Sequence, residues 1–198
     1  SWVQTADPET YAALIADILE NEYDAIALQE VNQLSSGTSV NEPEGYLPTQ
    51  NEIPIKSDNF AYFLVKSLAE KGLSYHWSWV PCHQGYFRFD EGVAILSKAP
   101  IQSVEQVQLS VVNDFENIHT RRALALETEA AAFVSVHLSW WKTEEENPFL
   151  LEWTSVETAV KKLRGIKPIY VMGDVNNPAD VRNEGYDLIT NAGWQDAY

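Results

Sequence analysis

Cysteine occurs once in the 198 residues, at Cys82. A single thiol closes no internal disulfide, and with His76, His83, His119 and His137 scattered along the chain it offers no zinc-ligand spacing. No segment near the N-terminus resembles a secretion leader. No run approaches the ~18 unbroken apolar residues of a membrane span. The expectation is a reduced, cytoplasmic protein. Basic side chains are also scarce: 13 Lys and Arg face 29 Asp and Glu, a net charge of −16. Long polyanions are held largely by Lys and Arg on their phosphates, so nucleic acid is disfavoured as the main partner. No basic amphipathic stretch points to a membrane surface. Repeats, linkers and low-complexity tracts are missing too, and the length suits one α/β domain rather than two.

Aromatic residues are plentiful, with seven Trp, nine Tyr and seven Phe. Most belong in a core, but Tyr75–Trp79 and Trp140-Trp141 can also line a pocket. Asp7-Pro8-Glu9 reads as a helix start, with Asp7 as N-cap, and Tyr11, Leu14, Ile15, Ile18 and Leu19 follow at helical spacing. Ala25-Ile26-Ala27-Leu28 is apolar on both faces, as in a strand covered on both sides, and stops at Gln29-Glu30. Residues 33–57, rich in Ser, Gly, Pro and Asn, read as a long loop. A helix is expected over 58–71, then strands over 74–80, 92–97, 103–109, 121–127 and 131–138. Asn147-Pro148 opens a helix with Phe149, Trp153, Val156, Val160 and Leu163 on one face. Pro168–Met172 reads as a buried strand broken at Gly173-Asp174, and 183–192 as a last helix. Helices bracketing a block of adjacent strands favour layered α/β packing with antiparallel sheet.

Polar groups stand where three apolar runs stop: Glu30 after the first, His137 after Phe133–Val136, and Asp174 with Asn176 after Ile169–Gly173. Rigid strands that deliver charged groups to one rim are a common way of building an active site. Each signal alone is modest, since a strand-end Glu is ordinarily solvated and a lone His ordinarily a hydrogen-bonded core residue. A Gly-Asp-x-Asn match arises by chance in roughly 3% of chains this long. Their order and context together carry the argument. In an acidic chain His119-Thr120-Arg121-Arg122 also stands out, because a guanidinium grips phosphate bidentately, although a strand-start surface charge explains it equally well. Arg88 and Lys142 are weaker candidates.

Leu28-Gln29-Glu30-Val31, Asp90–Ser97, Val136-His137-Leu138 and Met172-Gly173-Asp174-Val175-Asn176 resemble four successive signatures of the endonuclease/exonuclease/phosphatase superfamily, and Gly193–Ala197 is similar to its penultimate segment. The resemblance implies a DNase I-like, four-layer α/β/β/α sandwich. It implies Glu30 as the ligand of Mg²⁺, with Mn²⁺ as a substitute, in keeping with a hard cation that takes one or two carboxylates. It implies that Asp174 orients and helps deprotonate the attacking water, that Asn176 holds a phosphate oxygen or the water network, and that His137 donates to the phosphoryl oxygen. Arg121, Arg122, His119, Trp140 and Trp141 are the substrate-binding candidates.

The family pattern also has an Asn on a first strand and an Asp-His pair on the last ones, and neither is present. The expectation is therefore a single domain over 1–198, incomplete at both termini, that hydrolyses phosphate poorly or not at all as this piece. Asn59–Tyr62, Gly85-Tyr86, Asp90-Glu91-Gly92 and Ser139-Trp140-Trp141 look like the bacterial branch that includes maltose 6′-phosphate phosphatase. That resemblance favours a small phosphate monoester, a sugar phosphate, as substrate. The alternatives are a Mg²⁺-dependent nuclease cleaving DNA and a non-catalytic binding module on the same fold.

Overall fold

The computed structural model describes residues 8–51, 53–142, 147–163 and 167–197. Within them β1 (Ala25–Leu34), β3 (Phe89–Ser97) and β2 (His76–Gly85) pair antiparallel in that order. A second sheet runs β4 (Ser103–Gln108), β5 (Arg122–Glu127), β6 (Ala132–His137) and β7 (Ile169–Asp174). β6 and β7 are parallel, joined by the crossover helix α3 (Pro148–Leu163) that a parallel pair requires.

Period-two alternation gives each sheet two apolar faces. Trp77, Trp79, Ala94 and Leu96 face α1 (Pro8–Asn21) and α2 (Phe60–Ala69), which bury Ile15, Ile18, Leu64 and Leu68 against them. Val80, Cys82, Val93 and Ile95 point the other way and meet Leu124, Leu126 and Phe133 of the second sheet. The far face of that sheet, Ala123, Ala125, Val134 and Val136, packs on Phe149, Trp153, Val156 and Val160 of α3 and on Leu188 and Ile189 of α4 (Gly185–Asn191). Three apolar layers therefore separate four layers of backbone, the α/β/β/α order expected from the sequence. Trp77 and Trp79 are fully buried. Each indole removes ~200 Å² from water, worth roughly 5 kcal/mol before entropy is counted.

Local chemistry sets the element ends. Asn59 accepts from the Tyr62 N–H to open α2, and Asn147 accepts from the Phe149 N–H to open α3. Asp7, the expected cap of α1, lies outside the described residues.

Three expectations need correction. β1 does not stop at Gln29-Glu30 but runs on to Leu34, with its register against β3 shifting between Leu28 and Val31. Ala25–Leu28 is half-buried rather than covered on both sides, because β1 is a sheet edge among the described residues. The Pro168–Met172 segment likewise lies on an edge strand, β7, where Tyr170 is half-exposed. An apolar run reports that a strand is shielded, and leaves open on which side and by what.

Candidate active site

The extra residue in β1 is what presents Glu30. A bulge bends its strand and re-aims a side chain; here Glu30 has φ +53° and is solvent-exposed. Its neighbour Gln29 turns inward and donates to the Ser135 hydroxyl of β6 at 3.2 Å, pinning the bulge to the opposite sheet.

β6 and β7 end side by side, with Val136 opposite Gly173 and His137 opposite Asp174. His137 Nε2 stands 3.9 Å from Asp174 Oδ2. The other Asp174 oxygen accepts from the Asn176 N–H at 2.8 Å, and Asn176 Nδ2 donates to the Leu138 carbonyl, also at 2.8 Å. The Gly-Asp-x-Asn turn is thereby locked to the strand carrying His137. Asn176 is held at φ +50°, a region in which Asn is enriched among non-glycine residues.

Charges converge on His137. Burial and the nearby Arg121 guanidinium push its imidazole below the usual histidine range, against the opposing pull of Asp174, Glu30 and Glu91. The ring is therefore neutral at neutral pH. Glu91, opposite His83 in the β2–β3 ladder, is the third acid acting on His137. Contact with His83 holds its carboxyl below the ordinary carboxylate range, with His137 and Arg121 adding to that effect against burial. Arg121 donates to the Ile118 carbonyl at 3.0 Å, while its buried Nε finds no partner among the described residues.

Glu30, His137, Asp174, Asn176 and Arg121 thus lie at one end of the sandwich. The remaining candidates do not join them in the same way. Arg122 turns between the sheets and donates to the Pro81 carbonyl at 2.7 Å, Asn113 at 2.9 Å and Gln108 at 3.3 Å. Every nitrogen of its guanidinium is committed to the fold. His119 is exposed in the loop before β5. Trp141 belongs to the core, its ring 5.8 Å from that of Phe149, whereas Trp140 is 66% exposed beyond His137. Of the Tyr75–Trp79 run, Trp77 and Trp79 are core; Tyr75 and His76 line a cavity of about 320 Å³ at the opposite end of β2 from His83.

Sequence reading passed over Glu91, His83 and Glu152. Glu91 lies inside the Asp90–Ser97 segment, but only pairing across the hairpin reveals its partner. Glu152 is 1% exposed and accepts from both the N–H and the hydroxyl of Ser139 at 2.7 Å, fixing the chain just beyond His137.

For a divalent cation, the donor available is the exposed Glu30 carboxylate with neighbouring acids. Among the described residues no group of three or more His, Cys, Asp or Glu side chains is arranged to hold a metal ion. A carboxylate with room for water fits Mg²⁺, which keeps several waters and takes one or two carboxylates.

The family model described as "Endonuclease/Exonuclease/phosphatase family" matches residues 3–183. Among curated protein sequences none matches significantly. Solved structures do. An endonuclease/exonuclease/phosphatase family protein from Leptotrichia buccalis C-1013-b is similar at 24% identity and TM-score 0.72, over 86% of this chain and 61% of that one. An endonuclease/exonuclease/phosphatase from Beutenbergia cavernae DSM 12333 is similar at 15% identity and TM-score 0.57, over 89% of this chain and 45% of that one. ANGEL2, a 2′,3′-cyclic phosphatase, is similar at 15% identity and TM-score 0.55, over 90% and 46%. The chain therefore spans about half to three-fifths of the length of these proteins. At such identities the likeness is one of fold. No helix among the described residues is long and apolar enough to cross a membrane.

Proposed function

Because the chain belongs to the endonuclease/exonuclease/phosphatase family, whose members are metal-dependent phosphoesterases, we propose that the protein hydrolyses a small phosphate monoester, a sugar phosphate, with Mg²⁺ as its cofactor. The observation that carries this reading is the charge acting on His137: the acids Asp174, Glu30 and Glu91, opposed by the Arg121 guanidinium. Acidic groups suit a metal and a water, and cationic and N–H donors suit phosphate, so the combination supports this reading.

In this reading Glu30 holds Mg²⁺, which when bound neutralises the phosphate and stabilises the leaving oxygen. Asp174, with one oxygen tied to the Asn176 N–H, uses the other to orient the attacking water and take its proton. Neutral His137 donates a hydrogen bond to the phosphoryl oxygen as charge develops there. Asn176, anchored on the Leu138 carbonyl, holds the water network in register with that oxygen. Arg121 grips the remaining phosphate oxygens.

Two features favour a small sugar ester over DNA. The net charge of −16 repels a polyanion. Exposed aromatic side chains at this end, Tyr86 at 89%, Phe87 at 90% and Trp140 at 66%, offer faces on which a ring can stack. The local resemblance to the branch of maltose 6′-phosphate phosphatase points the same way.

The test is an assay of the full-length protein with Mg²⁺ on p-nitrophenyl phosphate, sugar phosphates, and single- and double-stranded DNA. Release of inorganic phosphate from a sugar phosphate, abolished in Glu30→Gln and Asp174→Asn, is the expected outcome. Cleavage of DNA alone, lost in the same variants, would make the enzyme a nuclease. Hydrolysis of nothing, with no Mg²⁺ binding through Glu30, would leave a binding module.

A further inference from the structure

His83 is buried, and both of its ring nitrogens meet acceptors. Nδ1 lies 3.2 Å from the Thr120 carbonyl oxygen, and Nε2 lies 3.4 Å from Glu91 Oε1. A carbonyl and a carboxylate are both acceptors, so each contact is a hydrogen bond only from a ring nitrogen that carries a proton. The two partners belong to different arms of the site. Glu91 faces His137. Thr120 immediately precedes Arg121 and closes the 114–120 loop, its hydroxyl donating to the Asp114 carbonyl at 2.6 Å and its N–H to that of Asn117 at 2.9 Å. The backbone makes His83 fit this place. The β2–β3 register shifts between Pro81 and His83, setting His83 directly opposite Glu91.

From this geometry we infer that His83 is a positioning residue of the active site: through Nε2 it fixes the Glu91 carboxylate, and through Nδ1 it fixes the loop that carries Arg121. The inference rests on the proposed phosphohydrolase reading for its effect on rate, and on the charges of Glu91 and Arg121 acting on His137 for its effect on that ring. Asn and Gln separate the two functions, because an Asn amide nitrogen stands where Nδ1 does and a Gln amide nitrogen where Nε2 does. His83→Asn keeps the donor to Thr120 and loses the donor to Glu91; His83→Gln does the reverse.

The experiment uses the full-length protein with Mg²⁺ and p-nitrophenyl phosphate, together with ¹⁵N-resolved NMR of the histidine rings. His83→Asn is expected to lower kcat by on the order of 10- to 100-fold, the range for groups that orient a reacting residue, with KM little changed. It is also expected to shift the His137 ring signals. His83→Gln is expected to keep kcat within a few-fold, raise KM through the Arg121 loop, and leave the His137 signals in place. A purely structural histidine would give two variants whose losses track their thermal stability, with no split between kcat and KM; that result overturns the inference. If the wild type hydrolyses no phosphate ester, the proposed reaction fails and the NMR comparison decides the positioning role. Unmoved His137 signals in His83→Asn then reject it.

Discussion

Gly173 approaches Gln29 so closely that a Cβ on the glycine would stand 2.9 Å from the Gln29 amide nitrogen. The same Cβ would collide with the carbonyl oxygen of Val136, a backbone atom of the paired strand that cannot swing away as the amide can. Gly173 also sits at φ +130°, where L side chains are rarely found. The glycine before Asp174 therefore serves two needs at once. It lets β7 close on β6, and it lets Gln29 cross to Ser135 and hold the bulge that presents Glu30.

Gly173→Ala is accordingly expected to destabilise the fold by about 3 kcal/mol or more, at the upper end of single substitutions. Urea unfolding followed by Trp fluorescence measures it. A loss under about 1 kcal/mol would mean that the strands part without cost, and that the close approach does not hold Asp174 beside His137.

Much of this arrangement was legible in the sequence, for a reason that also explains what was not. Apolar periodicity reports shielding, so the strand and helix positions followed from residues such as Val80, Val93 and Leu124. Glu30, His137 and Asp174 stood out because charge interrupts an apolar run at each. Periodicity does not count residues against a partner strand. The bulge at Gln29-Glu30 and the shift at Pro81–His83 therefore stayed hidden, and with them the direction of Glu30 and the pairing of His83 with Glu91. The Arg pair is the instructive case. Arg122 shares its parity along β5 with Leu124 and Leu126, which face the other sheet. That alternation was the available sign that Arg122 turns between the sheets while Arg121 does not.

The two arginines should separate experimentally. Arg122→Ala removes the donor to the Pro81 carbonyl and the packing of its stem. It is expected to cost about 1–3 kcal/mol of stability. Arg121→Ala is expected to change stability by less than about 1 kcal/mol and to weaken phosphate binding by roughly 10- to 100-fold, the scale of a lost charge-assisted contact. Inhibition of the full-length enzyme by inorganic phosphate reports that binding. Arg121→Lys should restore little, because lysine lacks the planar fork. Equal inhibition constants for wild type and Arg121→Ala would remove Arg121 from the phosphate site.

Glu152 supplies a test in pH. Burial raises its carboxyl above the ordinary carboxylate range, against the two hydrogen bonds from Ser139. In the unfolded chain Glu152 loses its proton near the ordinary value, while the folded protein retains it to higher pH. Between those limits the folded state binds more protons, so stability falls as pH rises through the window and levels off above the folded value. Glu152→Gln keeps an acceptor for the Ser139 N–H and offers an N–H to its hydroxyl. Its stability should lack this slope and match or exceed wild type at pH 7. Glu152→Ala leaves the Ser139 N–H unpaired and should cost about 1–3 kcal/mol. Urea midpoints from pH 4 to 8 decide it; parallel curves for wild type and Glu152→Gln would assign the pH slope to other groups.

The β2–β3 turn carries the clearest conflict between local preference and observed residues. Arg88 N–H closes on the Gly85 carbonyl at 3.0 Å, and the two residues between, Tyr86 and Phe87, have φ of +50° and +53°. Asn-Gly ordinarily fills a turn with that pattern, because bulky side chains are strained at positive φ. Here two aromatic residues take the strained positions while their side chains stand 89% and 90% exposed, so packing does not compensate them. Strain of this kind persists where a site uses it, and Glu91 of β3 lies four residues after Phe87 in the chain. The double substitution Tyr86→Asn with Phe87→Gly installs the preferred turn pair, and should leave stability unchanged or raise it by about 1 kcal/mol. The same change should raise KM for a sugar phosphate by roughly 2- to 10-fold, the worth of a lost ring-stacking contact. Inhibition by inorganic phosphate, which has no ring, should be unaltered. Unchanged KM with increased stability would mean that the aromatic tip does not touch substrate, whereas a parallel loss of phosphate inhibition would mean that the turn shapes the phosphate site itself.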